Sequence, residues 1–388
     1  MAGATRQTVI DALAAQRAAM EALLASFVGI DSNSRDPDGV ERMARQMIAF
    51  LEDRDVPAAL TPMASGGPGV VARIGPSANA GHVLMLGHMD TVFPTGEARA
   101  RPYRAENGRG YGPGVADMKA GLVMNAFVIA AFRAAGGPPV PLVALFTGDE
   151  EIGSLGSRAT IEDYARGARL VLNSEPGRAN GNIVSRRRGG SFLRATVTGR
   201  AAHAGLNPED GRSAIGELAR KIVAWHALAD PDRQISVNVG LIAGGQSANT
   251  VAPFAEAHID LRFAEPAAGD RAEAELRRIA EDCATDGLSG TLEKLAGFLP
   301  LFETEASRRA VDRYLAGARS LGLEIDHEFT RSCADSGFTA AVGAPTVCAV
   351  GPVGGKAHSP DEYVELDSLV PRAQAAALAI FAAAEATA

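Results

Sequence analysis

Four short apolar runs constrain this chain more than anything else: Val83-Leu84-Met85-Leu86, Val140 to Thr147, Leu170-Val171-Leu172-Asn173 and Thr346-Val347-Cys348-Ala349-Val350. None alternates polar with apolar residues, so each reads as a strand covered on both faces. Between them lie stretches with apolar residues at helical spacing, such as Leu122, Val123, Phe127 and Val128 within Asp117 to Ala135. Residues 5–29 carry the same spacing and read as one opening helix; Val40 to Asp53 reads as a second. Strands alternating with helices predict an α/β fold, with a mostly parallel sheet and flanking helices.

The middle of the chain has a different character. Phe192 to Gly199, Ser236 to Ile242 and Ala255 to Phe263 alternate as half-buried strands do, and Arg212 to Ala229 and Asp270 to Asp286 read as helices. A separate α+β domain over 185–296, inserted into a discontinuous domain of 1–184 and 297–388, accounts for the change. With 388 residues, two domains are also the expectation from length.

Composition narrows the partners. A net charge of -8 and a single basic triplet, Arg186-Arg187-Arg188, speak against a nucleic-acid surface. Cys283, Cys333 and Cys348 are odd in number and widely spaced, which fits reduced thiols and a cytoplasmic setting. The first 25 residues lack the basic segment and unbroken apolar core of a signal peptide, and no apolar run reads as a membrane span.

Polar residues gather where the apolar runs stop. His88 and Asp90 follow the first, two apart, so an extended chain points both side chains the same way. That spacing suits a metal ligand and the carboxylate that orients it. Glu150 and Glu151 follow the second run, Glu175 the third and His358 the last, while Asp117 opens a helix after Gly112-Pro113-Gly114. Open α/β sheets place their sites at the carboxyl ends of strands. So many carboxylates in one cleft would repel one another, and a pair of divalent cations removes that cost. His and carboxylate donors suit zinc, with cobalt or manganese as alternatives.

The motifs resemble those of the M20 metallopeptidase family, most closely its glutamate carboxypeptidase branch. The likeness runs through Gly87-His88-Met89-Asp90-Thr91-Val92, Gly112 to Gly121, Asp149-Glu150-Glu151-Ile152-Gly153-Ser154, Ser174-Glu175-Pro176, Ala202-His203-Ala204-Gly205 and His358-Ser359-Pro360-Asp361-Glu362-Tyr363. It implies two metal ions per subunit: one held by His88, Asp117 and Glu175, the other by Asp117, Glu151 and His358, with Asp117 bridging. It also implies a cis bond between Asp117 and Met118. Asp90 would orient His88, and Glu150 would act as general base toward a metal-bridging water. The inserted domain would serve as a lid and homodimer interface, with His203 reaching the other subunit's site to stabilise the oxyanion. Asn249 and Arg262 would bind the substrate's free carboxylate, and Gly355 is expected among the substrate-binding residues. Where glutamate-releasing members carry an Arg-rich turn ending in Pro, this chain has Leu295 to Pro300, without arginine.

The expected activity is hydrolysis of an amide bond, releasing a C-terminal amino acid from a peptidyl or N-acyl amino acid; an acidic residue is one candidate. Deacylation of a small N-acyl metabolite, of the acetylornithine or succinyl-diaminopimelate type, is the alternative. A non-catalytic metal-binding protein on the same fold is a further one, against which the retained Glu150 argues.

Overall fold

The computed structural model describes residues 4–76 and 81–385. The chain divides into two compact units, one of Met1–Arg186, Glu303–Thr330 and Ala334–Ala388, the other of Arg187–Phe302 and Arg331–Cys333.

The first unit is built on an eight-stranded sheet. Its order is Ala58–Thr61, Gly69–Ile74, Leu142–Thr147, Val83–His88, Leu170–Asn173, Thr346–Cys348, Ile183–Arg187 and His327–Thr330. The strands from Leu142–Thr147 to Thr346–Cys348 run parallel to one another; Gly69–Ile74 and Ala58–Thr61 add antiparallel on one side. Val83–His88 and Leu142–Thr147 are buried at every position, which is why their sequences do not alternate. Helices cover the sheet and share one apolar core, in which Phe50 stacks near Phe127 (5.0 Å between ring centres) and Phe132 near Phe381 (5.2 Å). At about 1.5–3 kcal/mol per buried large side chain, this core dominates the unit's stability. The strand ends are thereby left free to carry polar residues.

The second unit is a four-stranded antiparallel sheet, ordered Ser236–Gly244, Phe254–Phe263, Gly189–Thr198 and Ser289–Phe298. Helices Ala214–His226 and Pro266–Glu281 pack against it through Leu218, Trp225, Leu276 and Ile279.

Several sequence expectations shift. The opening helix is two, Arg6–Ala14 and Arg17–Val28, broken where Gln16 leaves helical dihedrals (φ −100°, ψ 5°). Buried Leu13 and Met20 are seven residues apart, in phase with an unbroken helix, so periodicity could not register the break. The helix expected from Asp117 begins at Ala120 instead, because Asp117 and Met118 hold non-helical dihedrals around a cis peptide bond. Strand Ser289–Phe298 was not expected, and neither was a small sheet of Arg104–Glu106, Arg109–Tyr111, Gly354–Gly355 and Tyr363–Glu365. Two helical stretches, Val115–Ala134 and Leu366–Glu385, are long and apolar enough for a membrane span by length and composition, contrary to expectation. Nearly all of the first and most of the second is buried within the unit, so both are core helices.

Candidate metal centre and active site

His88 ends its strand, 2% exposed. Its Nδ1 faces the Asp90 carbonyl (3.1 Å) and Asp90 Oδ1 (3.3 Å). Both are acceptors, so Nδ1 carries the proton and Nε2 keeps its lone pair. Nε2 points to Asp117 Oδ1 at 3.2 Å and Glu175 Oε1 at 3.5 Å. Asp90 does more than touch His88. Its carboxylate accepts from Ser34 Oγ (2.6 Å) and from the backbone N–H groups of Glu150 (3.2 Å) and Glu151 (3.1 Å). One carboxylate therefore fixes both the imidazole and the turn that carries the two glutamates.

Across Asp117 stands the second imidazole. His358 Nε2 lies 3.4 Å from Asp117 Oδ2 and 3.1 Å from Glu151 Oε2. The two oxygens of Asp117 thus face different histidines. His358 itself sits at φ 63°, and Lys356 at φ 55°, left-handed conformations that cost energy and tend to persist at functional sites.

These separations can be tested against metal chemistry. Two donors about 2.0–2.1 Å from one tetrahedral zinc lie about 3.3 Å apart. The imidazole-to-carboxylate distances, 3.1 to 3.5 Å, match that edge. His88, Asp117 and Glu151 also present ligand atoms within 4.8 Å of one another. The donor set fits a divalent cation.

The site's own electrostatics point the same way. Burial works against a charged His88, but the carboxylates of Asp117, Asp90 and Glu175 outweigh it and raise the imidazole's pKa. Burial, then the negative charges of Glu175, Asp335 and Glu151, drives the Glu150 carboxyl well above its usual range, against the pull of His88. Burial lifts Glu151 to about 7. Asp117 goes down despite burial, because His358 and His88 hold it ionised. A cation among these groups would keep the carboxylates ionised and the outward imidazole nitrogens bare.

Three supporting residues escaped sequence reasoning. Glu362 accepts from the backbone N–H groups of Ala116 (2.8 Å), Asp117 (2.9 Å) and Gly114 (3.3 Å), anchoring the loop that presents Asp117. Asp335, 2% exposed, accepts from Ser154 Oγ below the Glu150 turn. Ser34 supports Asp90. Glu362 lies within a quoted motif, which was a usable signal; Ser34 and Asp335 had none.

Burial lifts Asp335 from 3.8, and Glu362 from 4.5, to about 7. Without metal, the folded protein keeps protons there that the unfolded chain has already released, so its stability falls as pH rises from about 4 to about 7. His358, raised from 6.5 to about 10 chiefly by Asp117 and then Glu151, contributes stability present below pH 6.5 and lost as pH rises toward 10. The chelated protein should therefore melt at progressively lower temperature between about pH 5 and pH 9. The gain in Tm on adding zinc should grow over that range, because ligands bind deprotonated. Scanning fluorimetry with chelator or zinc checks this; a zinc-induced gain that shrinks with pH would contradict it.

The second unit holds the remaining candidates. His203 Nδ1 accepts the backbone N–H of Gly205 (3.1 Å) and Leu206 (3.2 Å), so a neutral ring presents Nε2–H outward as a donor. Asn249 is brought beside it: its carbonyl accepts from the Ala204 N–H (2.9 Å), and His203 bridges to Thr250. Its side-chain Oδ1 accepts from Ser247 Oγ, leaving the amide N–H₂ as a donor. Arg262 is engaged, donating to Asp260 (2.6 and 3.2 Å) and to Cys333 Sγ (2.7 Å). In the first unit, a Cβ at Gly355 would come within 2.8 Å of Tyr363 Oη, so this glycine makes room for that ring.

The family described as Peptidase family M20/M25/M40 matches residues 84–382. Carboxypeptidase G2 of Pseudomonas sp. (strain RS-16) is 27% identical over 358 residues, covering 90% of this chain and 85% of its own length. Succinyl-diaminopimelate desuccinylase of Xylella fastidiosa (strain M23) is 31% identical, over 74% of this chain and 79% of its own. Among solved structures, an M20 family metallo-carboxypeptidase from Sulfolobus solfataricus shares the fold with a TM-score of 0.76 at 18% identity, covering 94% of this chain and 99% of its own.

Proposed function

Because the chain belongs to the M20/M25/M40 peptidase family, we propose that it is a two-metal amidohydrolase releasing a C-terminal amino acid from a peptidyl or N-acyl amino acid. The observation that carries this reading is Asp117, whose two oxygens face His88 and His358 separately. His88, Asp117 and Glu175 would hold one ion, and Asp117, Glu151 and His358 the other, zinc being favoured by the donors and cobalt or manganese the alternatives. Such a pair supplies Lewis acidity toward the scissile carbonyl and acidifies a water. Glu150 takes the water's proton and delivers it to the leaving amine. Asp90 keeps His88 in the tautomer that leaves Nε2 bare, and Glu362 holds the Asp117 loop. His203, with Nε2–H turned outward, donates to the developing oxyanion of a partner subunit's substrate.

A homodimer fits the second unit. Strand Ser236–Gly244 lies at the sheet edge, and Leu241 (66%), Ile242 (68%) and Val223 (73%) are exposed there and on the neighbouring helix. An apolar sheet edge of this kind invites pairing with another copy.

The assay that tests the proposal incubates purified enzyme with zinc, cobalt or manganese and a panel of dipeptides, N-acyl amino acids and N-acylated diamino acids. Release of amino acids from the first two classes supports it. Turnover confined to the third favours deacylation of a small metabolite, and none with any metal defeats it. Arg262 and Asn249 are the proposed readers of the departing residue's free carboxylate. A charge-assisted contact of about 1.5–3 kcal/mol means Arg262→Ala lowers kcat/KM for free-acid substrates about ten- to a hundredfold. Amidated substrates should lose much less. Equal losses would assign Arg262 to its salt bridge with Asp260 alone.

A further inference from the structure

Between Cys333 and Asp335 the chain passes from bonds within the second unit to bonds within the first, with no slack between. Arg187 Nη1 donates to Ser332 Oγ (2.8 Å) and to the Cys333 carbonyl (3.1 Å), and Arg262 Nη1 donates to Cys333 Sγ (2.7 Å), all within the second unit. In the first unit, the Ala334 carbonyl accepts from the Gly337 N–H (3.1 Å) and the Asp335 carbonyl from the Phe338 N–H (2.9 Å). Both residues are thereby fixed to the start of helix Ser336–Ala341. A single peptide bond joins Cys333 to Ala334, and no flexible residue stands there to absorb a displacement.

One end of this strap holds the turn of the candidate general base. Asp335 accepts from Ser154 Oγ, and both residues are buried. Ser154 sits at φ 54° and donates its N–H to the Asp149 carbonyl (2.8 Å), closing the turn Glu150–Ile152 from behind. The other end holds Arg262. Its bonds to Asp260 and Cys333 use three of its five N–H donors. They leave one N–H on Nη1 and one on Nη2, the pair that a carboxylate takes bidentately. Nη1 would then serve the substrate and the strap at once.

We propose that Cys333 and Asp335 are positioning residues through which capture of a substrate's free carboxylate by Arg262 sets Glu150 for catalysis. Recognition of the carboxylate then appears in kcat as well as in KM, because binding energy from a remote part of the substrate orients the reacting groups. This rests on the reading of the chain as an amide hydrolase with Arg262 at the carboxylate, and it adds how that contact is used.

The experiment compares kcat and KM of the metal-loaded enzyme for the N-acetyl amino acid it turns over best and for the C-terminal amide of the same compound. Cys333→Ala removes the acceptor but leaves Arg262 in place. It should lower kcat for the free acid about two- to tenfold, the worth of one hydrogen bond, with KM and the amide's kcat within about twofold of wild type. Cys333→Ser, which keeps an acceptor, should recover most of the loss. Ser154→Ala cuts the strap at its other end. The free-acid-to-amide ratio of kcat should therefore fall to one level in either single variant and in the double. Equal losses on acid and amide, a change in KM alone, or losses that multiply in the double variant would overturn the proposal.

Hydrogen exchange over residues 149–157 supplies a readout that needs no turnover. L-leucine should slow exchange there in the wild type but not in Cys333→Ala, and L-leucinamide, which lacks the carboxylate, should slow it in neither. If no substrate is turned over, the parent reading falls while this comparison still decides the strap: the stated pattern upholds it, and unchanged exchange removes it. Melting curves exclude misfolding in each variant.

Discussion

Replacing Glu150 by Gln lowers turnover by about 10²–10⁴-fold, the usual share of a general base, and leaves the metal content intact. The side chain keeps its volume, and the contacts that fix its turn run through backbone N–H groups to Asp90, which the substitution does not disturb. Burial and the neighbouring carboxylates raise the Glu150 pKa, the direction that favours a group which must take up a proton. The imidazole contacts of the proposed donors run to Asp117, Glu175 and Glu151, so the variant should bind zinc like the wild type. Elemental analysis and steady-state kinetics on the same sample decide the matter. Lost metal would make Glu150 a ligand, and near-normal turnover would remove it from the chemistry.

His203→Ala should be nearly as damaging, since removing one oxyanion donor typically costs about 10²–10³-fold. The more telling result comes from mixing. If His203 serves the partner's site, a heterodimer of His203→Ala with Glu150→Gln has one site with both lesions and one with neither. Two nearly dead proteins should then regain a substantial fraction of wild-type activity after subunit exchange. A His203 that worked within its own chain would leave every site of the heterodimer damaged, and mixing would restore nothing. Exchange must be shown independently, for example by fluorescence transfer between labelled subunits.

The sequence carried the α/β architecture because the buried central strands are continuous apolar runs, a pattern set by two-sided burial alone. His88, Glu151, Glu175 and His358 drew attention as candidate metal ligands because each stands after such a run, and Asp117 because it follows a glycine-rich turn. Other features were opaque for definable reasons. Asp117 reads as a helix start by local pattern, yet Glu362 claims the backbone N–H groups there and defers the helix to Ala120. Glu362 lies 245 residues from Asp117 in sequence, a pairing no local rule can anticipate. Ser34 and Asp335 sit in unremarkable stretches and gain meaning only beside Asp90 and Ser154. The small sheet that joins Arg109–Tyr111 to Tyr363–Glu365 has strands of three residues, too short to show alternation. Arg331–Cys333 belongs to the second unit although the chain around it belongs to the first, and no composition change marks the crossing.

The hold of Glu362 on Gly114, Ala116 and Asp117 also orders events during synthesis. A growing polypeptide leaves the ribosome amino end first, at roughly 5–20 residues per second. His88, Asp117, Glu151 and Glu175 emerge early, but the loop bearing Asp117 lacks its anchor, and His358 is missing, until the whole second unit has been made. For that interval the nascent chain carries most of the proposed centre without the residues that complete it. A centre of the proposed kind would therefore be complete only once Tyr363–Glu365 has paired with Arg109–Tyr111.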